Sequence, residues 1–257
     1  DTRVPVAEAT RIQIWLGNEL LDVASATHKM QCASYTPFDK DQSPFDQPFR
    51  LRPDRMDADL ALLATRFECV RTYTMVGLEA VPSMAREHGL KVMAGAWVSS
   101  DPVATEKEIE TLITAANANP DVVTWVIVGN EALLRKEVTA KQLVTLIQTV
   151  KSRIKQPVTY ADVWEFWLRH PEIAPAVDFL TIHLLPYWED DPSGIDQALK
   201  HVGDVRQTFG NKFAPKDILI GETGWPSEGR QRETGVPGPV NDARFMWGIG
   251  AMARGTG

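Results

Sequence analysis

Short apolar runs and helical patterns alternate along most of the chain. Apolar residues at helical spacing predict helices at 8–26, 54–66, 78–88, 103–117, 138–154, 194–209 and 238–254. Seven runs rich in Val, Ile, Leu and aromatic residues have the length and composition of buried strands, and they cover residues 29–36, 67–74, 90–97, 122–129, 157–162, 177–184 and 217–223. The order of these elements is that of repeated βα units.

Strands that are each followed by a helix form parallel sheets, either closed into a barrel or open and doubly wound. An open nucleotide-binding sheet would show a glycine-rich turn after an early strand, but the one GxGxxG-like stretch, residues 248–255, follows no strand. A length of 257 residues suits one barrel. We therefore expect an α/β fold, a (β/α)8 TIM-type barrel in a single domain over residues 1–257, with seven strands identifiable and the eighth missing or truncated.

Composition narrows the classes of ligand. The chain is 44% hydrophobic and 24% charged, with a net charge of −7, so it lacks the basic field that nucleic acid or anionic lipid requires. No apolar run approaches the roughly 20 residues that span a bilayer, so we expect no membrane segment within this chain. Cys32 and Cys69 lie in apolar segments without CxxC spacing. This pattern favours two buried free thiols over a disulfide or a metal site.

Two glutamates occupy matching places at the ends of predicted strands. Glu131 ends the stretch WVIVGNE and Glu222 ends ILIGE, and in each case the carboxylate follows a buried strand and a glycine. Because side chains alternate along a strand, Glu131 shares a face with Ile127, and Glu222 shares one with Ile220. The carboxyl ends of barrel strands carry the active sites of this fold, and paired carboxylates there are the groups that cleave glycosidic bonds. We therefore predict that both glutamates are catalytic.

The motifs around these glutamates resemble a known family. VGNE on the fourth predicted strand and GETGWPS on the seventh are similar to the signatures of glycoside hydrolase family 17, whose members act on β-1,3-glucans. RTY at 71–73 and LPYW at 185–188 resemble the motifs of the family's second and sixth strands. The stretches YADVWEFW and TIHLLPYWEDD look most like the bacterial branch, which is associated with cyclic or osmoregulated glucan synthesis. The resemblance covers residues 29–229.

The resemblance implies specific roles. Glu131 would be the acid/base and Glu222 the nucleophile of a retaining mechanism that needs no cofactor and no metal. Asn130 would hydrogen-bond the sugar 2-hydroxyl, and Tyr187 would orient the nucleophile. The partner would be a β-glucan oligosaccharide or polysaccharide. The location would be the periplasm or the extracytoplasmic face of the inner membrane, where the chain would be part of a larger membrane-anchored protein.

Aromatic residues recur at the ends of the predicted strands. The apolar faces of sugar rings stack on such side chains, so we expect several of them to bind substrate: Tyr35, Tyr73, Trp164, Tyr187, Trp188 and Trp225. His183 lies near the end of the sixth strand, where it is either a buried core residue or a contact of the sugar or the nucleophile.

The function expected from the sequence is that of a retaining β-1,3-glucan transglycosylase. A plain β-1,3-glucan hydrolase is the first alternative. A catalytically silent glucan-binding domain of a membrane glucan synthase is the second, although such a domain would not need both glutamates. A metal-dependent barrel enzyme is disfavoured, since His183 is the one histidine offered at a strand end.

Overall fold

The computed structural model describes residues 12–16, 19–23, 29–39, 42–43 and 51–254. These residues divide into two compact units. One comprises residues 30–184 and 206–222 and contains a seven-stranded sheet. The other contains the remaining described residues.

An antiparallel strand pair lies where the sequence predicts a helix. Strand β1 (Ile12–Leu16) pairs with β2 (Glu19–Val23). The helix predicted over 8–26 is therefore wrong for these residues, and the rest of that range lies outside the described residues. Two sequence signals favoured the hairpin: β-branched isoleucines alternate with Gln13 in β1, and Gly-Asn separates the two strands.

The seven predicted strands of the sheet are confirmed. They are β3 (Met30–Ser34), β4 (Phe67–Arg71), β5 (Lys91–Ala96), β6 (Val123–Asn130), β7 (Val158–Val163), β8 (Leu180–His183) and β9 (Ile218–Glu222). All neighbouring pairs are parallel and follow chain order from β3 to β9. No strand follows β9 in the part of the chain that the structure describes.

The sheet curls into a nearly closed barrel. Arg71 at the end of β4 contacts Glu222 at the end of β9, although four strands separate β4 from β9 in the sheet. A flat sheet would hold these side chains about 24 Å apart at roughly 4.8 Å per strand. The interior is filled by Met93, Ile127 and Ala161 with adjoining apolar residues. The TIM-type architecture expected from the sequence is thus confirmed with seven strands.

Helices alternate with the strands. They are α1 (Pro53–Leu63), α2 (Val81–Glu87), α3 (Pro102–Ala118), α4 (Ala140–Lys151), α5 (Trp164–Arg169), a 3-10 helix (Pro171–Ala176), α6 (Ile195–Phe213) and α7 (Pro239–Arg254). The predicted helices after residue 50 are confirmed to within a few residues, whereas α5 and the 3-10 helix were not expected. Thr139 forms a capping box with Gln142 at the start of α4. Among the described residues, no helix is long and apolar enough to span a bilayer.

The two cysteines form a disulfide, so the prediction of free thiols is wrong. Cys32 of β3 lies directly opposite Cys69 of β4, with their Cα atoms 4.4 Å apart. Their separation of 37 positions along the chain hid this proximity in the sequence. The parallel register of the two strands creates it.

Candidate active site

The barrel brings the two predicted catalytic glutamates together. Glu131 follows β6, while Glu222 and His183 are the last residues of β9 and β8. One carboxylate oxygen of each glutamate and a ring nitrogen of His183 all lie within 4.8 Å of one another. Gly221 allows β9 to approach β8 this closely, because a Cβ at this position would collide with the Thr181 side chain. Two carboxyl groups from distant parts of the sequence thus face the same small volume.

Glu222 is surrounded by positive and proton-donating groups. Arg71 Nη1 donates to Glu222 Oε1 at 2.6 Å, and the Tyr73 hydroxyl donates to the same carboxylate. Burial raises the pKa of Glu222, but the charges of His183 and Arg71 and the hydrogen bonds from Arg71 and Tyr73 outweigh it. The pKa of Glu222 is therefore held below its ordinary value. These contacts favour the ionised form, which a nucleophile requires.

Glu131 has a different partner. Its Oε1 lies 2.7 Å from Nδ1 of His183, whose side chain is fully buried. Nε2 of the same ring is 3.5 Å from Oε1 of Glu222, a long contact. The imidazole therefore lies between the two glutamates and is hydrogen-bonded to Glu131. His183 is thus buried and also contacts both predicted catalytic glutamates, whereas its contact with a sugar hydroxyl stays a prediction.

Asn130 is held by the same arginine that contacts Glu222. Arg71 Nη2 donates to Asn130 Oδ1, and the side chain of Asn130 is 7% exposed. A guanidinium can only donate, so it fixes Oδ1 towards Arg71 and leaves the Nδ2 donor on the other side of the amide. Arg71 thereby links the strand ends of β4, β6 and β9.

A buried tyrosine–aspartate pair lies on β7. The Tyr160 hydroxyl donates to Asp162 Oδ2, and Asp162 Oδ1 accepts from the Val163 amide at 2.8 Å. Burial raises the pKa of Asp162 to about 6, assisted by the charge of Glu131 and opposed by the two hydrogen bonds and the charge of His183. Asp162 is therefore a titrating group inside the electrostatic field of the site.

This raised pKa predicts a pH-dependent loss of stability. Because the folded-state value of about 6 exceeds the ordinary 3.8, the folded state binds this proton more tightly. The stabilisation by this proton is fully present below pH 4 and is lost as pH rises through 6. The difference between the folded-state and unfolded-state pKa corresponds to ~3 kcal/mol in the free energy of unfolding. We expect the free energy of unfolding of Asp162→Asn, relative to wild type, to rise by up to about this amount between pH 4 and pH 7, measured by urea denaturation.

Asp121→Asn is the matched control for this experiment. Arg86 lowers the pKa of Asp121 to about 2, so Asp121 stays ionised above pH 4. The same substitution at this position should leave the pH dependence of the free energy of unfolding as it is in wild type. An Asp162→Asn protein whose stability follows wild type in parallel from pH 4 to pH 7 would contradict the prediction.

The predicted substrate-binding aromatic residues of the barrel unit differ in their surroundings. Tyr73 lies at Glu222, with the Arg71 guanidinium 4.4 Å from its ring centroid. Tyr35 is 5% exposed and its hydroxyl is 3.4 Å from Asp59 Oδ2 on α1. Trp164 begins α5 and is half-buried. Tyr73 is thus placed at the catalytic pair, while sugar contacts by Tyr35 and Trp164 stay predictions.

The other three predicted aromatic residues cluster within the second unit. Trp225 is 4% exposed, packs between Tyr187 and Phe245, and donates from Nε1 to the Val236 carbonyl. The Tyr187 hydroxyl donates to the carbonyl of Arg230. Tyr73 is the tyrosine of the barrel unit that donates to Glu222, and the orienting role of Tyr187 stays a prediction. Trp188 is 48% exposed and keeps ring area for stacking.

Sequence reasoning missed Arg71, Tyr160 and Asp162 as members of the site. The signal was the one that identified the glutamates: Arg71 ends β4 and Asp162 lies near the end of β7, each after a buried apolar run. A charged side chain at the carboxyl end of a barrel strand could therefore have been assigned to the site in each case.

Glu131, His183 and Glu222 also form a group with the spacing of metal ligands. The sequence did not anticipate that two glutamates would join the histidine. Arg71 already donates to Oε1 of Glu222 and places a buried positive charge beside it. A divalent cation at this point would be repelled by the guanidinium, so the group is better suited to acid–base and nucleophilic chemistry.

Comparison with known proteins agrees with this site. "Probable beta-glucosidase btgE" of Aspergillus flavus is 33% identical over 199 residues, covering 74% of this chain and 33% of that protein. "Glucan 1,3-beta-glucosidase" of Candida albicans is 25% identical over 221 residues, covering 77% of this chain and 70% of that protein. The chain thus spans about a third of the length of the Aspergillus relative.

Solved structures show the same fold. The family 17 β-1,3-glucanosyltransferase of Rhizomucor miehei superposes with a TM-score of 0.74 at 24% identity, covering 88% of this chain and 84% of that one. Residues 32–256 match the model of the BtgE/BtgC glycoside hydrolase domain. The match includes both glutamates and all seven strands of the barrel except the first two residues of β3. The chain belongs to the BtgE/BtgC glycoside hydrolase domain family.

Proposed function

We propose that the chain is a retaining β-1,3-glucan transglycosylase of the family 17 type, with Glu222 as nucleophile and Glu131 as acid/base. The observation that carries the assignment is the unequal surroundings of the two glutamates. Glu222 receives Arg71 at 2.6 Å and its pKa is lowered, whereas Glu131 shares a hydrogen bond of 2.7 Å with His183. A carboxylate held ionised and a carboxyl group beside a proton-carrying ring are what double displacement needs.

The separation of the carboxyl groups supports retention. One oxygen of Glu131 and one oxygen of Glu222 lie within 4.8 Å of one another. Retaining glycosidases have carboxyl groups about 5–5.5 Å apart, whereas inverting enzymes leave about 6.5–9.5 Å for a water molecule. The shorter distance leaves room for direct attack by Glu222 on the anomeric carbon.

The contact with His183 allows a proton at Glu131 while Glu222 stays ionised. With a ring proton at Nε2, facing Glu222, Nδ1 can only accept, and its partner at 2.7 Å is then a protonated Glu131. Moving that proton across the hydrogen bond gives an imidazolium between two carboxylates with the same total charge. Both arrangements leave Glu222 ionised and a proton next to Glu131.

The reaction would proceed in two balanced steps. First, Glu222 attacks the anomeric carbon while the proton at Glu131 passes to the glycosidic oxygen, which leaves with the bonding electrons. Then a sugar hydroxyl or water attacks that carbon, Glu131 takes its proton, and Glu222 is released. Asn130 Nδ2 would donate to a sugar hydroxyl while Arg71 holds the amide in place.

Transfer is expected to compete with hydrolysis for the glycosyl-enzyme. Water is present at about 55 M, yet a well-oriented acceptor can reach effective molarities on the order of 10⁵ M or more. The Rhizomucor neighbour is a glucanosyltransferase solved with laminaritriose, which supports a β-1,3-glucan acceptor. The curated relatives are named as β-glucosidases, so plain hydrolysis is the second candidate.

The test is a product analysis with laminari-oligosaccharides at millimolar concentration. We expect products longer than the donor, with retained β-configuration in the first product seen by proton NMR. Products made up only of shorter sugars would assign the chain to hydrolysis. An α-anomer formed first would exclude double displacement, and no product at all would favour a silent glucan-binding domain.

We further propose an extracytoplasmic location. The Cys32–Cys69 disulfide supports an oxidising compartment, because such bonds are rare in cytosolic proteins. A larger membrane-anchored protein and the bacterial branch with cyclic or osmoregulated glucan synthesis stay predictions from the sequence motifs. The curated relatives reported above are fungal.

A further inference from the structure

The backbone that carries Glu131 adopts an unfavourable conformation. Glu131 itself has φ 52°, in the left-handed region, and Gly129 two residues earlier has φ 86°. A non-glycine residue is disfavoured in this region because its Cβ crowds the following carbonyl oxygen. Such a conformation persists only where the surrounding structure holds it. The orientation of the Glu131 carboxyl group therefore depends on what secures this segment.

Strand β7 secures it at three points. The Glu131 amide donates to the Ala161 carbonyl at 2.7 Å, and the Leu133 amide donates to the Tyr160 hydroxyl at 3.0 Å. The Tyr160 ring also packs beneath Gly129, where an added Cβ would come within 3.3 Å of it. Tyr160 thus supports the chain on both sides of Glu131.

Asp162 determines the direction in which the Tyr160 hydroxyl acts. A phenol has one proton to donate, and here it goes to Asp162 Oδ2, so a lone pair is directed at the Leu133 amide. Asp162 is fully buried and Tyr160 is 1% exposed. Burial and the neighbouring Asp162 charge raise the pKa of Tyr160, which keeps this proton in place.

We propose that Tyr160 and Asp162 are a positioning pair for Glu131, which hold the acid/base in line with the leaving oxygen without touching the substrate. The proposal rests on the assignment of Glu131 as acid/base. Its chemical consequence is selective. A misplaced acid should slow the cleavage of substrates whose leaving group needs a proton. It should not affect the cleavage of substrates whose leaving group departs without one.

Tyr160→Phe tests this directly, because it keeps the ring beneath Gly129 and removes the hydroxyl. We expect kcat/KM on a laminari-oligosaccharide to fall about 10- to 100-fold. With a dinitrophenyl β-glucoside, the rate of dinitrophenol release in the first turnover should fall less than about threefold, since this leaving group departs without protonation. Asp162→Asn should likewise lose more activity on the laminari-oligosaccharide than on the dinitrophenyl β-glucoside. It serves as the second variant if Tyr160→Phe folds poorly.

Trp167→Phe is the matched control. Trp167 packs against the Tyr160 ring with centroids 5.7 Å apart and donates to the Thr181 carbonyl, so the change disturbs the same buried aromatic pair. It leaves the hydroxyl, Asp162 and the Leu133 amide untouched. If it destabilises the protein, it should lower the rates on both substrates by the same factor. Equal losses on both substrates in Tyr160→Phe would overturn the positioning role.

A second readout does not need activity. The Leu133 amide of Tyr160→Phe should exchange with deuterium at least about 10-fold faster than in wild type, because the Tyr160 hydroxyl to which it donates is gone. Unchanged exchange would overturn the proposal. A wild-type protein inactive on both substrates would instead refute the proposed function, and the exchange measurement would still decide whether Tyr160 holds this segment.

Discussion

Glu222→Gln is expected to abolish glucan cleavage and transfer, with a loss on the order of 10⁵-fold. The amide cannot form the glycosyl-enzyme, and no other described carboxylate lies as close to Glu131, Arg71 and His183 together. Activity on aryl glycosides should be lost to the same extent, because an activated leaving group does not replace a nucleophile. The measurement is initial rates on laminari-oligosaccharide and on a dinitrophenyl β-glucoside.

The loss must be separated from misfolding. Removing the Glu222 charge leaves Arg71, which is 2% exposed, with one partner fewer, and broken buried ion pairs are costly. Glu110→Gln makes the same change in an exposed glutamate paired with Arg153 and should keep full activity. Glu222→Ala with an α-glucosyl fluoride should form new glucan bonds, since that donor mimics the intermediate and needs only Glu131. Substantial hydrolysis by Glu222→Gln would show that another group is the nucleophile.

Glu131→Gln is expected to separate substrates by their leaving group. General-acid catalysis is worth about 10²–10⁴-fold, so glucan turnover should fall by that amount. The first step with a dinitrophenyl β-glucoside should be little affected, and a burst of dinitrophenol should precede slow turnover because the second step lacks its base. The burst amplitude, measured by stopped flow, is the decisive quantity.

Azide gives an independent check on Glu131. As an anionic nucleophile it attacks the glycosyl-enzyme without a general base, and in Glu131→Gln it should restore turnover and yield the β-glucosyl azide. The same addition should leave Glu222→Gln inactive. Rescue in Glu222→Gln with an α-azide product, together with none in Glu131→Gln, would reverse the two roles.

The strands and the two glutamates that meet at their ends could be predicted because both depend on local pattern. A buried parallel strand is a short apolar run, and side chains alternate along it, so the last residue of each run indicates the face on which it lies. Glu222 is the last residue of β9 and satisfies this rule, whereas Glu131 follows β6 with φ 52°, so its direction also depends on the local backbone. The helix predicted for residues 12–16 was wrong because a short amphipathic segment fits a helix and a strand nearly equally well. Among the described residues, β1 pairs with β2 alone.

The sequence by itself determined the seven strands of the sheet, their order and which two carboxylates lie at the ends of matching strands. Only the tertiary structure decided the different surroundings of the two glutamates. Arg71, Tyr73 and His183 come from strands other than those of the glutamates, and an ion pair or proton bridge depends on distances set by barrel curvature. The Cys32–Cys69 bond likewise follows from the register of β3 against β4. Such contacts join residues 37 to 151 positions apart, which no local pattern encodes.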